Sequence, residues 1–308
     1  MKNHKSYDCA YPGLELLPDG TFVTTTYGHW VKGEQPFIVS VRFTMQEIDA
    51  IAKPQEQDDG LRANPQLVGH RGLMRHAPEN TLAGFGACIE LGLGFELDIR
   101  RSKDGHLVVL HDDDVRRTTN SFGKVADYPL SATRMLDAGR WFDPAFAGEK
   151  VPTLDEVFGL LKQRQRTPAR VALDFKIDDG TVERDVVRLA EKHGVLDRVI
   201  CIGRAITDPA VRRRLREANP KTPVAVLVPK AEDLPSALKE SNADWIYLRF
   251  IPSAQHVEEI HSAGKRIFLS GPLVAGHDVE NWQRARRAGV DAMLTDYPLE
   301  CRQAWRGK

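Results

Sequence analysis

The chain has 308 residues, 42% apolar and 28% charged, with 43 basic and 43 acidic side chains. That suits one large globular domain or two smaller ones. The charge balance excludes a global field for nucleic acid or an anionic membrane, and no run reaches the roughly 18–20 apolar residues of a bilayer span, so anion binding must be local.

The first residues, MKNHKSYDCAYPGLELL, carry basic side chains but no apolar signal stretch. A cytoplasmic location is therefore the expectation. Cys9, Cys88, Cys201 and Cys301 are scattered and form no C-x-x-C pair. They read as free thiols in a reducing compartment rather than as disulfides or metal ligands. Residues 13–49 predict a short β unit: LELL and TFVTTTY flank a turn at Pro18-Asp19-Gly20, and PFIVSVRF follows. A short helix is expected in TMQEIDAIAK. Residues 1–52 are thus an N-terminal β extension and a candidate surface for self-association. Residues 53–65, polar with two prolines and no periodicity, read as a linker.

From residue 66 to 308 the texture changes. The runs QLVGH, GFELDI, HLVVLH, RVALDF, RVICIG, PVAVLV, WIYLRF, RIFLSG and DAMLTD alternate with amphipathic stretches at 153–164, 181–193, 208–218, 231–240, 253–264 and 278–288. Alternation of this kind predicts an α/β fold with a parallel sheet, here a (β/α)8 TIM barrel. Nine runs exceed eight strands, and ELDIRRSKDGHLVVLHD leaves no room for a crossover helix. Asp104-Gly105 is a two-residue hairpin signal, so residues 106–111 are expected to return antiparallel to the second strand. With that turn, paired residue numbers sum to 209 and Asp98 faces His111.

Barrel sites lie at the C-terminal ends of the strands. His70 and Arg71 follow the first strand, Glu96 and Asp98 share a face of the second, and His111 lies on the return arm. Asp174 and Lys176 end the next strand, Arg249 ends WIYLRF, and Asp296 ends the last. Inward carboxylates are costly unless paired or metal-bound. Glu96, Asp98 and Asp174 supply the oxygen donors that a hard divalent cation, Mg²⁺ or Ca²⁺, prefers over zinc. His70 and His111 suit acid–base work, and Arg71 and Lys176 suit an anionic group. Arg249 is a further anion contact. A cation site with two histidines and two basic groups describes phosphoryl chemistry better than glycoside hydrolysis, which needs only a carboxylate pair. Bland roles fall to the rest. Asp112–Asp114 read as a solvated turn, Arg212–Arg214 and Arg284–Arg287 as solvated helix faces, and His76, His193, His256 and His261 as structural or exposed. His277, in a loop after the seventh strand, is a lesser candidate to border the site. Asn80 is the expected N-cap of a helix at 81–91, with Glu79 a brace for the site.

The ordered segments HRG…PENT, ELDI, DGHLVVLHD, RRTTN, VPTLDEV, LDFK and LTDYP resemble the signatures of glycerophosphodiester phosphodiesterases over about residues 66–300. The resemblance implies a TIM barrel with a small insertion, here 112–168. It implies hydrolysis of a small-molecule glycerophosphodiester to sn-glycerol 3-phosphate and an alcohol with a divalent metal. It casts His70 and His111 as the acid–base pair, Arg71 and Lys176 as phosphate contacts, and Glu96, Asp98 and Asp174 as metal ligands. Asp174 stands where glutamate is usual, although the similar spider-venom phospholipase D toxins have aspartate there. IFLSGPLVAGH replaces the family's Trp-Thr-x-Asn-like stretch, and Arg204 stands where Ser-Phe is frequent. Two other expectations stay open: a phospholipase D-like lyase that stops at a cyclic phosphate or takes another anionic, sugar-type substrate, and a non-catalytic phosphate- or sugar-binding barrel. Residues 1–50 resemble the closing strands of a sialidase-like β-propeller, too short to imply that activity.

Overall fold

The computed structural model describes residues 13–28, 37–47, 65–164 and 169–306. The chain divides into two compact units, 1–60 and 61–308. In the first, β1 (Gly13–Leu16), β2 (Phe22–Gly28) and β3 (Phe37–Phe43) form an antiparallel sheet in the order β1-β2-β3. Leu17–Thr21 makes the first turn, and the Asp19 carboxylate accepts from the Thr21 N–H. Phe22 stacks on Phe43 at 5.5 Å. Residues 45–47 are helical, and the rest of the expected helix lies outside the described residues, as does nearly all of the expected linker.

The second unit is the barrel. Its parallel strands are β4 (Gln66–Gly69), β5 (Gly94–Arg101), β7 (Val171–Phe175), β8 (Val199–Ile202), β9 (Ala225–Val228), β10 (Trp245–Leu248), β11 (Arg266–Leu269) and β12 (Ala292–Thr295). They run in the order β8-β7-β5-β4-β12-β11-β10-β9. The ring closes between β8 and β9 through a parallel bridge, Cys201–Val224. Outside it lie α1 (Leu82–Glu90), α2 (Leu154–Gln163), α3 (Val182–His193), α4 (Pro209–Ala218), α5 (Leu234–Leu238), α6 (Ala254–Ser262), α7 (Val279–Ala288) and α8 (Pro298–Arg306). Each helix buries a stripe against the strands. In α3 it is Val182, Val186, Val187 and Ala190, at helical spacing. Thr153 caps α2 in a reciprocal box with Glu156. None of the described helices is long and apolar enough to cross a membrane. Cys88, Cys201 and Cys301 are buried free thiols, and Cys9 lies outside the described residues.

The return arm β6 (Leu107–Val109) pairs antiparallel with β5, one residue out of the expected register. Ile99 faces Val109 and Arg101 faces Leu107, so paired numbers sum to 208. Ser102 donates its N–H to the His106 carbonyl, and the loop is Lys103-Asp104-Gly105 rather than Asp104-Gly105 alone. Gly105 takes the left-handed conformation, φ 90°, that closes a three-residue turn. Asp98 therefore lies opposite Leu110, whose N–H it accepts at 3.0 Å, not opposite His111.

A one-residue register decides which face each side chain takes. Leu107 and Val109 join the main core, whereas Val108 and Leu110 join a second core with Val115, Val125, Leu136, Ala138 and Val151. Residues 112–153 thus fold over their own small core, and α2 returns the chain to the outer ring beside α1 and α3. In the main core Phe95 stacks on Phe85 at 4.5 Å, fully buried. Phe95→Ala is expected to lower stability by about 3–5 kcal/mol, read from urea unfolding midpoints at constant slope.

Candidate active site

The site is built where β4, β5 and β7 end. Glu96 and Asp98 alternate to the inner face of β5, and Asp174 is the cross-strand partner of Asp98 on β7. One oxygen of each of the three carboxylates falls within 4.8 Å of the others. Glu96 and Asp98 are 2% and 1% exposed. Burial, then the charges of Asp98 and Asp174, pushes the Glu96 carboxyl well above the usual range. Burial also raises Asp174, against the pull of Lys176.

Lys176, one step beyond β7, places Nζ 2.6 Å from Asp174 Oδ2 and 3.1 Å from Asp98 Oδ1. Burial works against its charge, but the two aspartates outweigh that and raise its pKa. Arg71 brings the second cation. It and Asn80 are the non-glycine residues with positive φ among the described ones, at 52° and 56°. Such conformations are uncommon and collect at functional sites. Here the Arg71 turn aims its backbone N–H at Glu96 Oε2, 2.9 Å away, and sets its Nε 3.6 Å from Asp98 Oδ2. The Asn80 amide donates to Asp98 Oδ2 at 2.7 Å. The cap of α1 is Thr81, whose Oγ1 accepts from the Gly84 N–H, so Asn80 serves the site and not the helix end as the sequence suggested.

His70 lies one residue past β4, and its Nδ1 is 2.7 Å from Asp296 Oδ1. His111 lies two residues past β6. Arg100 grips its carbonyl with Nε and Nη2, and its Nδ1 is 2.7 Å from Asp112 Oδ1. His111 stands near enough to Asp174 for its charge to favour that carboxylate. So both expected histidines flank the cluster, although the register that suggested one of them was wrong.

Asp112 is no solvated turn. It also accepts from Arg117 Nε at 2.6 Å, and Arg117 holds it, with His111, down to about 2. Arg117 in turn clasps Glu79. Arg249 is exposed at the end of β10, and no hydrogen bond or ion pair joins it to the carboxylates. Its charge acts instead on Tyr247, whose hydroxyl accepts from Ser270 Oγ at 3.1 Å. Burial is the main force raising the Tyr247 phenol, and Asp174 and Glu96 add to it. Sequence reasoning passed over Tyr247 and Ser270. The signal was available: Trp245 and Tyr247 share a face of β10, and a barrel interior is built in such layers.

His277 packs edge-on between Trp282 and Tyr297 at 5.0 Å from each ring, and Arg75 covers Tyr297 at 4.5 Å. His193 pairs with Asp155 and His261 with Asp291, as structural histidines. Two helix arginines depart from the solvated role. Arg212 is 2% exposed and donates to the Ile206 carbonyl, and Arg214 pairs with buried Glu183 at 2.6 Å.

The residues fit a divalent cation. The set is all-oxygen and anionic, as a hard cation requires. Asp98 Oδ1 is buried without an aligned hydrogen bond. Gly203 leaves space for Asp174: a Cβ there would lie 1.9 Å from Asp174 Oδ1. Gly203 also has φ 97°.

Residues 70–300 match the profile of the glycerophosphoryl diester phosphodiesterase family. The chain belongs to that family, and so to the enzymes that hydrolyse phosphoric diesters. It is 32% identical over 242 residues to a glycerophosphodiester phosphodiesterase of Caldanaerobacter subterraneus, covering 75% of this chain and 94% of that one. It resembles the crystal structure of a glycerophosphodiester phosphodiesterase from Agrobacterium tumefaciens, with 28% identity, a TM-score of 0.64, and 76% and 97% of the two chains covered. It also resembles an Oleispira antarctica phosphodiesterase in complex with its product sn-glycerol-3-phosphate, with 25% identity, a TM-score of 0.64, and 79% and 97% covered.

Two outcomes follow from the geometry. A carboxyl with a raised folded pKa destabilises the cation-free fold above the ordinary carboxylate pKa, increasingly as pH rises toward the raised value. A divalent cation relieves that repulsion. The rise in Tm on adding Mg²⁺ or Ca²⁺ is therefore expected to be larger near about pH 8 than near about pH 5, with protons released on binding, measured by calorimetry in buffers of different ionisation enthalpy. Gly203→Ala is expected to displace Asp174, weaken cation binding and add strain of about 1–3 kcal/mol, read by the same titration and by thermal unfolding.

Proposed function

We propose that this protein hydrolyses a small glycerophosphodiester to sn-glycerol 3-phosphate and an alcohol, with a divalent cation and two histidines. The observation that carries the reading is a pair of imidazoles, each held at Nδ1 by its own carboxylate, beside a cluster of three carboxylates, two of them buried. Asp112, held ionised by Arg117, keeps the proton on Nδ1 of His111, and Asp296 stands in the same place at Nδ1 of His70, which leaves Nε2 of each ring for the substrate.

Glu96, Asp98 and Asp174 are the residues to hold the cation, which when bound supplies positive charge to a phosphoryl oxygen. Arg71 and Lys176 hold the remaining oxygens, one as a planar fork and the other as a point charge. Arg249, farther out on β10, is a contact for an anionic group on the substrate. The glycerol 2-hydroxyl then attacks phosphorus. One histidine takes its proton at Nε2, while the other gives a proton to the departing alkoxide as the phosphorus–oxygen bond breaks. That leaves a cyclic phosphodiester, which water opens with the two histidines in exchanged roles. The groups that neutralise the phosphoryl charge are fixed before substrate arrives, and preorganisation of this kind contributes most to such reactions.

Release of choline from glycerophosphocholine is expected with Mg²⁺ or Ca²⁺ and is expected to vanish with EDTA. His70→Ala and His111→Ala should each lower kcat by roughly 10²–10⁴-fold. Full activity in the double variant would sink the reading. Phosphorus NMR of the product separates complete hydrolysis, which gives a monoester, from a reaction that stops at the cyclic phosphate.

A further inference from the structure

Four charged side chains run in an unbroken line between the two halves of the site. Arg71 donates Nη1 to Glu79 Oε1 at 2.9 Å. Arg117 clasps the same carboxylate with both terminal nitrogens, Nη1 to Oε2 at 2.7 Å and Nη2 to Oε1 at 2.8 Å. The remaining nitrogen of Arg117, Nε, donates to Asp112 Oδ2 at 2.6 Å, and Asp112 Oδ1 meets His111 Nδ1 at 2.7 Å. Every nitrogen of the Arg117 guanidinium is thus assigned to a carboxylate.

The Glu79 side chain is only 4% exposed. Burial alone would raise its pKa, but the two arginines outweigh it and keep it ionised. A buried carboxylate that accepts from two guanidiniums is a fixed point. Asp112 is different: its side chain is one-third exposed and sits next to His111 in the chain, on a segment outside β6. Nothing in the strand pairing fixes its rotamer. Arg117 does, because its own fork is locked on Glu79.

We infer that Arg117 is a positioning residue that orients His111 through Asp112 and ties it to the Arg71 side of the site through Glu79. Arg117 touches neither the carboxylate cluster nor His111. It comes from the insertion, in a 3-10 turn at Val115–Arg117 whose Val115 is anchored in the second core. Two threonines follow in RRTTN, and both are buried, with Thr119 Oγ1 donating to the Val115 carbonyl. The insertion therefore does more than cover the barrel: its fold sets the ring of one acid–base residue. A merely structural Arg117 would fasten the insertion to the barrel and leave His111 as it is.

The inference rests on the phosphodiesterase reading for its kinetic consequence but not for its geometry. The test compares wild type, Arg117→Gln, Arg117→Lys, Asp112→Asn and the Arg117→Gln, Asp112→Asn double variant. Choline release from glycerophosphocholine gives kcat and KM. Nitrogen NMR of histidine-labelled protein, at a pH where the ring is neutral, gives the His111 tautomer, assigned by loss of the signal in His111→Gln. Arg117→Gln is expected to lower kcat by roughly ten- to a hundredfold, the range known for loss of the partner that orients a metal-bound histidine, with KM little changed. The His111 proton should spread from Nδ1 onto both nitrogens. Losses in the double variant should fall well short of the product of the single losses, because both act on one ring. Lysine, a point charge without the planar fork that meets Glu79 with two nitrogens and Asp112 with the third, should rescue only in part, and it keeps the test open if the glutamine variant does not fold. A folded Arg117→Gln or Arg117→Lys protein with wild-type kcat and a pure Nδ1–H tautomer would overturn the inference and leave the phosphodiesterase reading standing. Wild-type protein inactive on the diester, with the tautomer still governed by Arg117, would overturn that reading and leave the network.

Discussion

Three carboxylates gathered within 4.8 Å of one another, two of them buried, cannot all be ionised without compensation. The rest of the site is arranged around that constraint. Glu96 and Asp98 come from one strand and Asp174 from its neighbour, so the fold itself forces the charges together. Lys176 and Arg71 supply two positive charges against three negative ones, which leaves an excess of one. The raised pKa of Glu96 favours a proton there, and a divalent ion would offset the excess with charge to spare. That surplus is what a phosphoryl oxygen needs. The same imbalance explains the raised pKa values of Glu96 and Asp174 and is what a hard cation and an anionic substrate would complete.

The constraint also explains where backbone strain is found. Arg71 and Asn80 adopt left-handed conformations in adjoining turns, joined by the Asn80 N–H to Arg71 carbonyl bond at 3.0 Å. Neither is glycine, because each needs a side chain: one to bring a cation to Asp98, the other to donate an amide to it. The strain is held by surrounding bonds rather than by the helix that follows, which has its own cap in Thr81.

Much of this was legible in the chain. Alternating β-branched runs and amphipathic stretches specify the barrel, because strand and helix periods differ and each must bury one face. The carboxylate cluster was legible for the same reason: Glu-x-Asp alternation puts two acids on one face, and a parallel neighbour supplies the third. The hairpin register was not. Asp-Gly suits a two-residue turn, but here Gly105 closes a three-residue one, and local sequence does not distinguish them. His111 was set by that argument opposite Asp98, where Leu110 stands. Its position comes from the chain leaving the strand after Val109, held by Arg100. Asn80 and Arg117 were misjudged or missed because their roles depend on residues 18 and 38 positions away. A short-range reading sees an Asn before a helix and arginines on a polar face.

The two faces of β6 have a wider consequence. Leu107 and Val109 belong to the barrel, while Val108 and Leu110 belong to a separate apolar cluster under residues 112–153. A segment with its own interior can be exchanged, lengthened or redrawn over evolutionary time without reopening the eight strands beneath it. Only the side chains that plug into the barrel site have to be kept. The scaffold is thus divided between eight strands that carry the charge chemistry and a smaller segment with an interior of its own. New specificity in such a protein is best sought by trading the segment, not by altering the strands.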